Sequence, residues 1–199
     1  MSDFYKIMEN RRSILRLSKE ALISQERLEE VVGNALKFTP TAFNGQEQRL
    51  VLLMDKKHDW FWNLVKSTLK AIVPAENFPS SEDRINGFLG GVGTILFYQD
   101  TAVTKGLQET FPIYKDNFPI WAMQSSGMLK YTLWTSLVKE GYGANIQHYT
   151  ELIEAEVNEE LNIDSNWKMV GQLSFGKAAQ SPNPNKTFEP IENRLIVIK

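Results

Sequence analysis

The chain has 199 residues, of which 42% are hydrophobic and 23% charged, with a formal net charge of −2. These are ordinary globular values, so one domain over residues 1–199 is the default, with enough chain to bury a core. No basic stripe points to nucleic acid and no apolar run is long enough to span a membrane; the lack of cysteine removes disulfides, thiolate nucleophiles and Cys-ligated metal or iron–sulfur centres. A cytoplasmic setting with no leader peptide is the expectation.

Phe4, Ile7 and Met8 share one face of a first helix, with Ser2 or Asp3 as its cap. It runs into Asn10-Arg11-Arg12-Ser13-Ile14-Leu15-Arg16. Cations at a helix end complement its macrodipole, and arginine forks also match phosphate oxygens, so both readings stand here. Ser24 caps a second helix, whose Leu28, Val31, Val32, Ala35 and Leu36 form an apolar stripe. The segment Phe38-Thr39-Pro40-Thr41-Ala42-Phe43-Asn44-Gly45-Gln46-Glu47-Gln48-Arg49 then breaks the periodicity. Pro40 disfavours helical geometry at Thr39, and Gly45 is expected to supply a positive φ. Thr39, Thr41, Asn44 and Gln46 offer uncharged donors and acceptors, suited to a flat heterocycle with polar edges or to a polyol chain. A helix stop followed by a solvated turn accounts for them too.

Leu50-Val51-Leu52-Leu53-Met54 reads as a buried strand, and Trp60, Phe61, Leu64, Val65, Leu69 and Ile72 as an amphipathic helix stopped by Pro74. His58, beside Lys57 at that helix's start, reads as a surface residue. Ser80 or Ser81 is expected to cap a short helix through Ile85, Phe88 and Leu89, and residues 94–98 read as a second buried strand. Gly91-Val92-Gly93 precedes this strand and meets Leu96 where a third glycine would stand, so it is no dinucleotide fingerprint. After a helix at 102–107, Pro119 starts a long helix from 120 to about 140, apolar nearly all round and expected at the centre. Its Ala122, Ser125, Ser126 and Gly127 permit close backbone approach, within the chain or across a subunit interface. Amides and an aromatic gather in Asn145-Ile146-Gln147-His148-Tyr149, before a helix that Thr150 is expected to cap. A final strand pair is predicted at 169–175 and 195–198, around a Pro- and Asn-rich excursion that carries Lys186.

Catalytic machinery is scarce. His58 and His148 are the only histidines, and no metal-ligand spacing, nucleophile elbow or phosphate loop is present. No side chain is assigned a catalytic role and no metal is expected, so a cofactor is left to carry any chemistry. The arginine cluster with Lys186 suits a phosphate dianion; Thr39, Thr41, Asn44 and Gln46 suit a ribityl chain or ring edge; Asn145, Gln147 and the backbone after Gly143 suit a second ring edge.

In this order, N-R-R-S at 10–13, T-P-T-A-F-N-G-Q at 39–46, N-F-P-I-W at 117–121, G-A-N-I-Q-H-Y at 143–149 and K-T-F at 186–188 resemble the nitroreductase family. The likeness runs over essentially the whole chain and is strongest to the compact branch with fungal and Gram-positive bacterial members. It implies an α+β flavin fold with a central, mostly antiparallel sheet flanked by helices and a long buried central helix. It also implies a homodimer with one FMN in each of two interface sites, and NAD(P)H-driven, ping-pong hydride transfer through flavin N5 to nitroaromatics, quinones or similar acceptors. By the same resemblance Arg11 and Ser13 match positions contacting the flavin and its phosphate-bearing tail, with Arg12 in that cluster and Lys186 as a tail cation. Thr39, Thr41, Asn44 and Gln46 match a loop lent by the other subunit. Ile146, Gln147 and His148 fall where main chain passes the flavin N5 edge. A flavin-binding regulatory or stress-response protein with incidental reductase activity is the alternative.

Overall fold

A computed structural model describes residues 3–199; Ser2, one of the two candidate caps of the first helix, lies outside them. In chain order the described residues form α1 (Asp3–Asn10), β1 (Leu17–Ser18), α2 (Gln25–Phe38), β2 (Gln48–Met54), α3 (Asp55–Ile72), α4 (Phe78–Leu89), β3 (Gly93–Asp100), α5 (Thr101–Thr110), α6 (Phe118–Lys139), β4 (Gly143–Gln147), α7 (Thr150–Glu160) and β5 (Trp167–Ala178).

β3 pairs antiparallel with β2 on one side and β5 on the other, and β5 carries β4 and the short β1 along its far edge, also antiparallel. Successive residues of a strand face opposite ways, and that alternation builds two cores. Leu96 and Tyr98 join Phe61, Trp62, Val65, Phe88 and Val157 beneath α3, α4 and α7. Ile95 and Phe97 join Leu28, Val32, Leu129, Leu133 and Leu137 beneath α2 and α6. Each such burial is worth about 1.5–3 kcal/mol, so the sheet anchors both helical layers. The expected α+β architecture follows.

The long helix α6 packs Leu129, Leu133 and Leu137 on the sheet while Ile120, Met123, Met128 and Tyr131 stay exposed in the single chain. Its apolar girth is therefore only half used. The strand predicted at 195–198 does not form; Leu195, Ile196, Val197 and Ile198 are exposed. Of β5, the strand they were expected to join, one side is taken by β3 and the other by β4 and β1 from Gln172 to Ala178, which leaves only its first residues open.

His58 corrects the surface assignment. It is fully buried, because one helical residue beyond Lys57 turns the side chain about 100° toward the sheet. Its Nε2–H donates to the Leu89 carbonyl at 3.1 Å, and Nδ1 accepts the Thr94 hydroxyl at 2.8 Å. Thr94 Oγ1 in turn accepts the Trp62 indole N–H at 2.7 Å, so the buried polar chain is closed. Two caps also move: Asn77 with the following Pro79 opens α4 in place of Ser80 or Ser81, and Tyr149 rather than Thr150 precedes α7. Thr150 Oγ1 instead accepts from Gln172 at 3.1 Å.

Candidate functional site

α1 stops at Asn10, and the Arg11 N–H still donates to Ile7 O at 3.0 Å, so Arg11 caps the helix and Arg12 lies just beyond it. What extends the chain there is β4. Ser13 bridges Ala144, the Ile14 N–H donates to Ala144 O at 3.0 Å, and the Asn145 amide donates to Ile14 O at 2.8 Å. Asn145 Oδ1 accepts from Gln147 Nε2 at 2.9 Å. Asn145, a candidate for a ring edge, is thus consumed as a buried tether that lays Arg11, Arg12 and Ser13 beside β4.

The Arg11 guanidinium stacks over the Trp134 ring of α6 at 4.4 Å, and the indole N–H beneath it is buried with no partner. Arg12 donates to the Asn183 carbonyl. Arg11, Arg12, Ser13, Asn183 and Lys186 line one cleft of about 310 Å³. No carboxylate lines it, and none of its three cations belongs to an ion pair among the described residues. Uncompensated like charges converging on one cleft favour an anion over a cation there.

The polar loop sits elsewhere. Thr39, Thr41, Asn44 and Gln46 line a second cleft of about 320 Å³, together with Gln48 and Arg49, and it shares no residue with the cationic one. Thr39 ends α2 and its hydroxyl donates to Ala35 O at 2.7 Å; Thr41 Oγ1 accepts the Gln46 N–H at 2.9 Å. Phe43, Asn44 and Gln46 all take φ of 53°, the left-handed region. Gly45, expected to supply that geometry, has φ of −63°. Space is tight there instead: a Cβ would meet the side-chain ends Leu107 Cδ1 at 2.7 Å and Glu47 Oε2 at 3.2 Å, which would have to give way. Left-handed geometry costs a side-chain-bearing residue roughly 1–2 kcal/mol, so other contacts must hold the loop. The Phe43 ring packs on Phe111 at 4.8 Å and Phe118 at 5.4 Å and stacks on Trp121 at 6.1 Å. Arg49 donates to Gln46 O at 2.7 Å and pairs with Asp100 at 2.9 Å, whose other oxygen accepts the Ala102 N–H at the start of α5.

Ile146 and Gln147 end β4 and His148 follows it, beside Lys130 of α6 and Gly171 of β5. Burial, and secondarily the Lys130 charge, hold the His148 imidazole below its ordinary pKa, which keeps it neutral at pH 7. The structure therefore gathers Arg11, Arg12, Ser13 and Lys186 in one cleft and ties them through Ser13 and Asn145 to the strand bearing Ile146 and Gln147. It leaves Thr39, Thr41, Asn44 and Gln46 apart. Sequence reasoning missed Trp134, Asn183, Arg49 and Lys130. Arg49 could have been noticed as the cation closing the loop; the others carry no local signal.

The sheet between two helical layers, with a cationic cleft against its long helix and a polar loop set apart, defines an α+β protein. The chain belongs to the nitroreductase family, whose model, described as "Nitroreductase family", matches residues 8–177. It is 30% identical to nitroreductase FRM2 of Saccharomyces cerevisiae over 188 residues, 94% of this chain and 93% of the relative. It is 41% identical to nitroreductase CinD from Lactococcus lactis in complex with 4-nitrophenol, with a TM-score of 0.89 over 99% of this chain and 100% of the other. CinD is also known in complex with chloramphenicol and with nicotinic acid. A nitroreductase with bound FMN from Desulfitobacterium hafniense, 16% identical, shares the fold at a TM-score of 0.73 over 100% of both chains. The chain is accordingly an oxidoreductase.

Proposed function

We propose that the protein is an FMN-dependent oxidoreductase that uses NADH or NADPH to reduce nitroaromatics, quinones or similar acceptors, and that it works as a homodimer. The observation that carries this reading is the cationic cleft, in which three cations and a hydroxyl converge with no acid among the lining residues. That donor set fits a phosphate dianion, and with it FMN: Arg11, Arg12, Ser13 and Lys186 would hold the phosphate-bearing tail. Residues 146–148 would flank the ring edge with main chain. Thr39, Thr41, Asn44 and Gln46, too far round the chain to share that cleft, would come from a second copy. When bound, FMN supplies the two-electron hydride chemistry that no side chain here can perform.

His148, its imidazole held below the ordinary pKa by burial and the Lys130 charge, would line the wall beside that ring edge. Support for the acceptor class comes from CinD, whose partners 4-nitrophenol and chloramphenicol are nitroaromatics, while nicotinic acid carries the pyridine ring of a nicotinamide. Support for the dimer comes from apolar surface that the single chain leaves bare: Ile120, Met123, Met128 and Tyr131 on α6, and the tail at 195–198. No described strand pairs with the outer edge of β2, which would offer the tail of a second copy the ladder it lacks.

The test is direct. Purified protein should be yellow, should release FMN on heating at about one per chain, and should bleach on anaerobic NADH or NADPH before any acceptor is added. Release of FAD, or a colourless protein that FMN does not reconstitute, overturns the reading.

A further inference from the structure

One charged side chain beside the proposed ring edge has no role in binding the tail. Lys130 lies on α6 four residues, about 6 Å along the axis, before the Trp134 that carries Arg11. Its Nζ donates to the Val170 carbonyl at 2.6 Å. Val170 is the extra residue of a bulge: the β3–β5 register steps from Tyr98↔Met169 to Phe97↔Gly171 and leaves it without a partner on β3. Gly171 follows at φ of 151°, and a Cβ built there would stand 3.2 Å from Lys130 Cε, 3.3 Å from Nζ and 3.4 Å from His148 Cδ2. Glycine thus leaves the room in which the ammonium and the imidazole converge.

The ammonium carries three N–H donors, and the Val170 carbonyl is its one acceptor among the described residues. No described carboxylate pairs with it, and the Phe97 ring lies 5.8 Å away. Burial lowers its pKa. A neutral donor would close the bulge as well without desolvating a charge, so the charge itself is what the packing leaves unexplained. Its place, behind the end of β4 and against His148, is the wall along which the ring edge would lie.

We propose that Lys130 supplies a fixed positive charge at that wall and biases the site toward the reduced, more negative cofactor. This rests on the FMN reading above. Reduction of FMN by two electrons adds negative charge to the ring, and a preorganised cation stabilises charge that develops in a site shielded from water.

The experiment is an anaerobic redox titration against a reference dye, followed by visible absorbance, on holoprotein carrying Lys130→Gln, Lys130→Met or Lys130→Arg. Gln keeps an N–H donor for Val170 and Met keeps only the stem, so both should lower the affinity ratio of reduced to oxidised FMN about tenfold, a shift of about −30 mV for a two-electron couple. Lys130→Arg should stay within about threefold of wild type, and oxidised FMN should bind all three variants about as tightly as wild type. A Gln variant at the wild-type potential, or an Arg variant that falls as far as Gln, overturns the proposal. If Met does not fold by circular dichroism, the Gln and Arg pair decides. Wild-type protein that binds no FMN would instead sink the flavin reading itself.

Discussion

Arg11→Ala is the sharpest probe of the cationic cleft. In the free chain the guanidinium has one face on Trp134 at 4.4 Å and makes no hydrogen bond among the described residues, so its fork is free for a ligand. Removing it takes away a partly exposed cation–π contact worth about 0.5–1 kcal/mol, too little to threaten the fold. It also takes away charge-assisted contacts to the anion worth about 1.5–3 kcal/mol, so FMN affinity should fall roughly ten- to a hundredfold. Arg11→Lys should recover part, since an ammonium can sit over Trp134 but cannot reproduce the bidentate fork. Arg12 is already engaged with the Asn183 carbonyl, so Arg12→Ala should weaken binding less. Glu26, exposed in the first turn of α2, is the control. Quenching of FMN fluorescence on titration gives the affinities, with circular dichroism to confirm folding. Wild-type affinity in a folded Arg11→Ala protein refutes the assignment: if Arg12→Ala then fails to bind, the wrong arginine was chosen, and if neither matters the cleft is not the phosphate site.

Burial holds the His58 imidazole below its ordinary value of 6.5, so the unfolded chain takes up the proton first as pH falls. Its contribution is fully present above that value and declines below it by up to about 1.4 kcal/mol per pH unit, levelling once the folded imidazole also protonates. Urea midpoints from pH 8 to pH 5 should show the decline and His58→Gln should remove that share of it; an identical profile in the variant is the contrary result. Thr94→Val strands both the Trp62 N–H and His58 Nδ1 and should destabilise by about 2–4 kcal/mol in urea denaturation, with a loss below about 1 kcal/mol contradicting the closed chain. Light scattering should give twice 22.8 kDa for the full chain, and truncation after Arg194 should yield a dimer that dissociates on dilution and releases FMN. A truncated chain that stays dimeric and yellow at nanomolar concentration would show that the tail is not the clasp.

How far the sequence could be read depended on whether the deciding neighbour was local. The stripe of α2 and the apolar runs of β2 and β3 are local periodicities and formed where expected, but β2, read as a buried strand, lies at the sheet's edge and is mostly half-buried, because only β3 pairs with it. His58 was misplaced because the residue beside it is charged, whereas its fate was set by Thr94 and Leu89 across the fold. Asn145 has the chemistry of a ligand contact but is spent on Ile14, more than a hundred residues upstream. The run at 195–198 has strand composition, but β4 and β1 hold most of the edge of β5 it was expected to join, and composition cannot report that. Gly45 misled differently: its role is the room it leaves for Leu107 and Glu47, and the left-handed angles fall on its neighbours.

Those neighbours have a consequence for how the loop behaves. Phe43, Asn44 and Gln46 hold angles that free side-chain-bearing residues rarely visit, so the loop's form is stored in the Phe43 ring wedged among Phe111, Phe118 and Trp121 and in the grip of Arg49. Its form therefore depends on α5 and α6 standing in place. By the same logic it is among the first to let go, and its amides should exchange with solvent faster than those of the flanking α2 and β2. A change at Phe111 can therefore reach Asn44 and Gln46 through Phe43, without touching either of them.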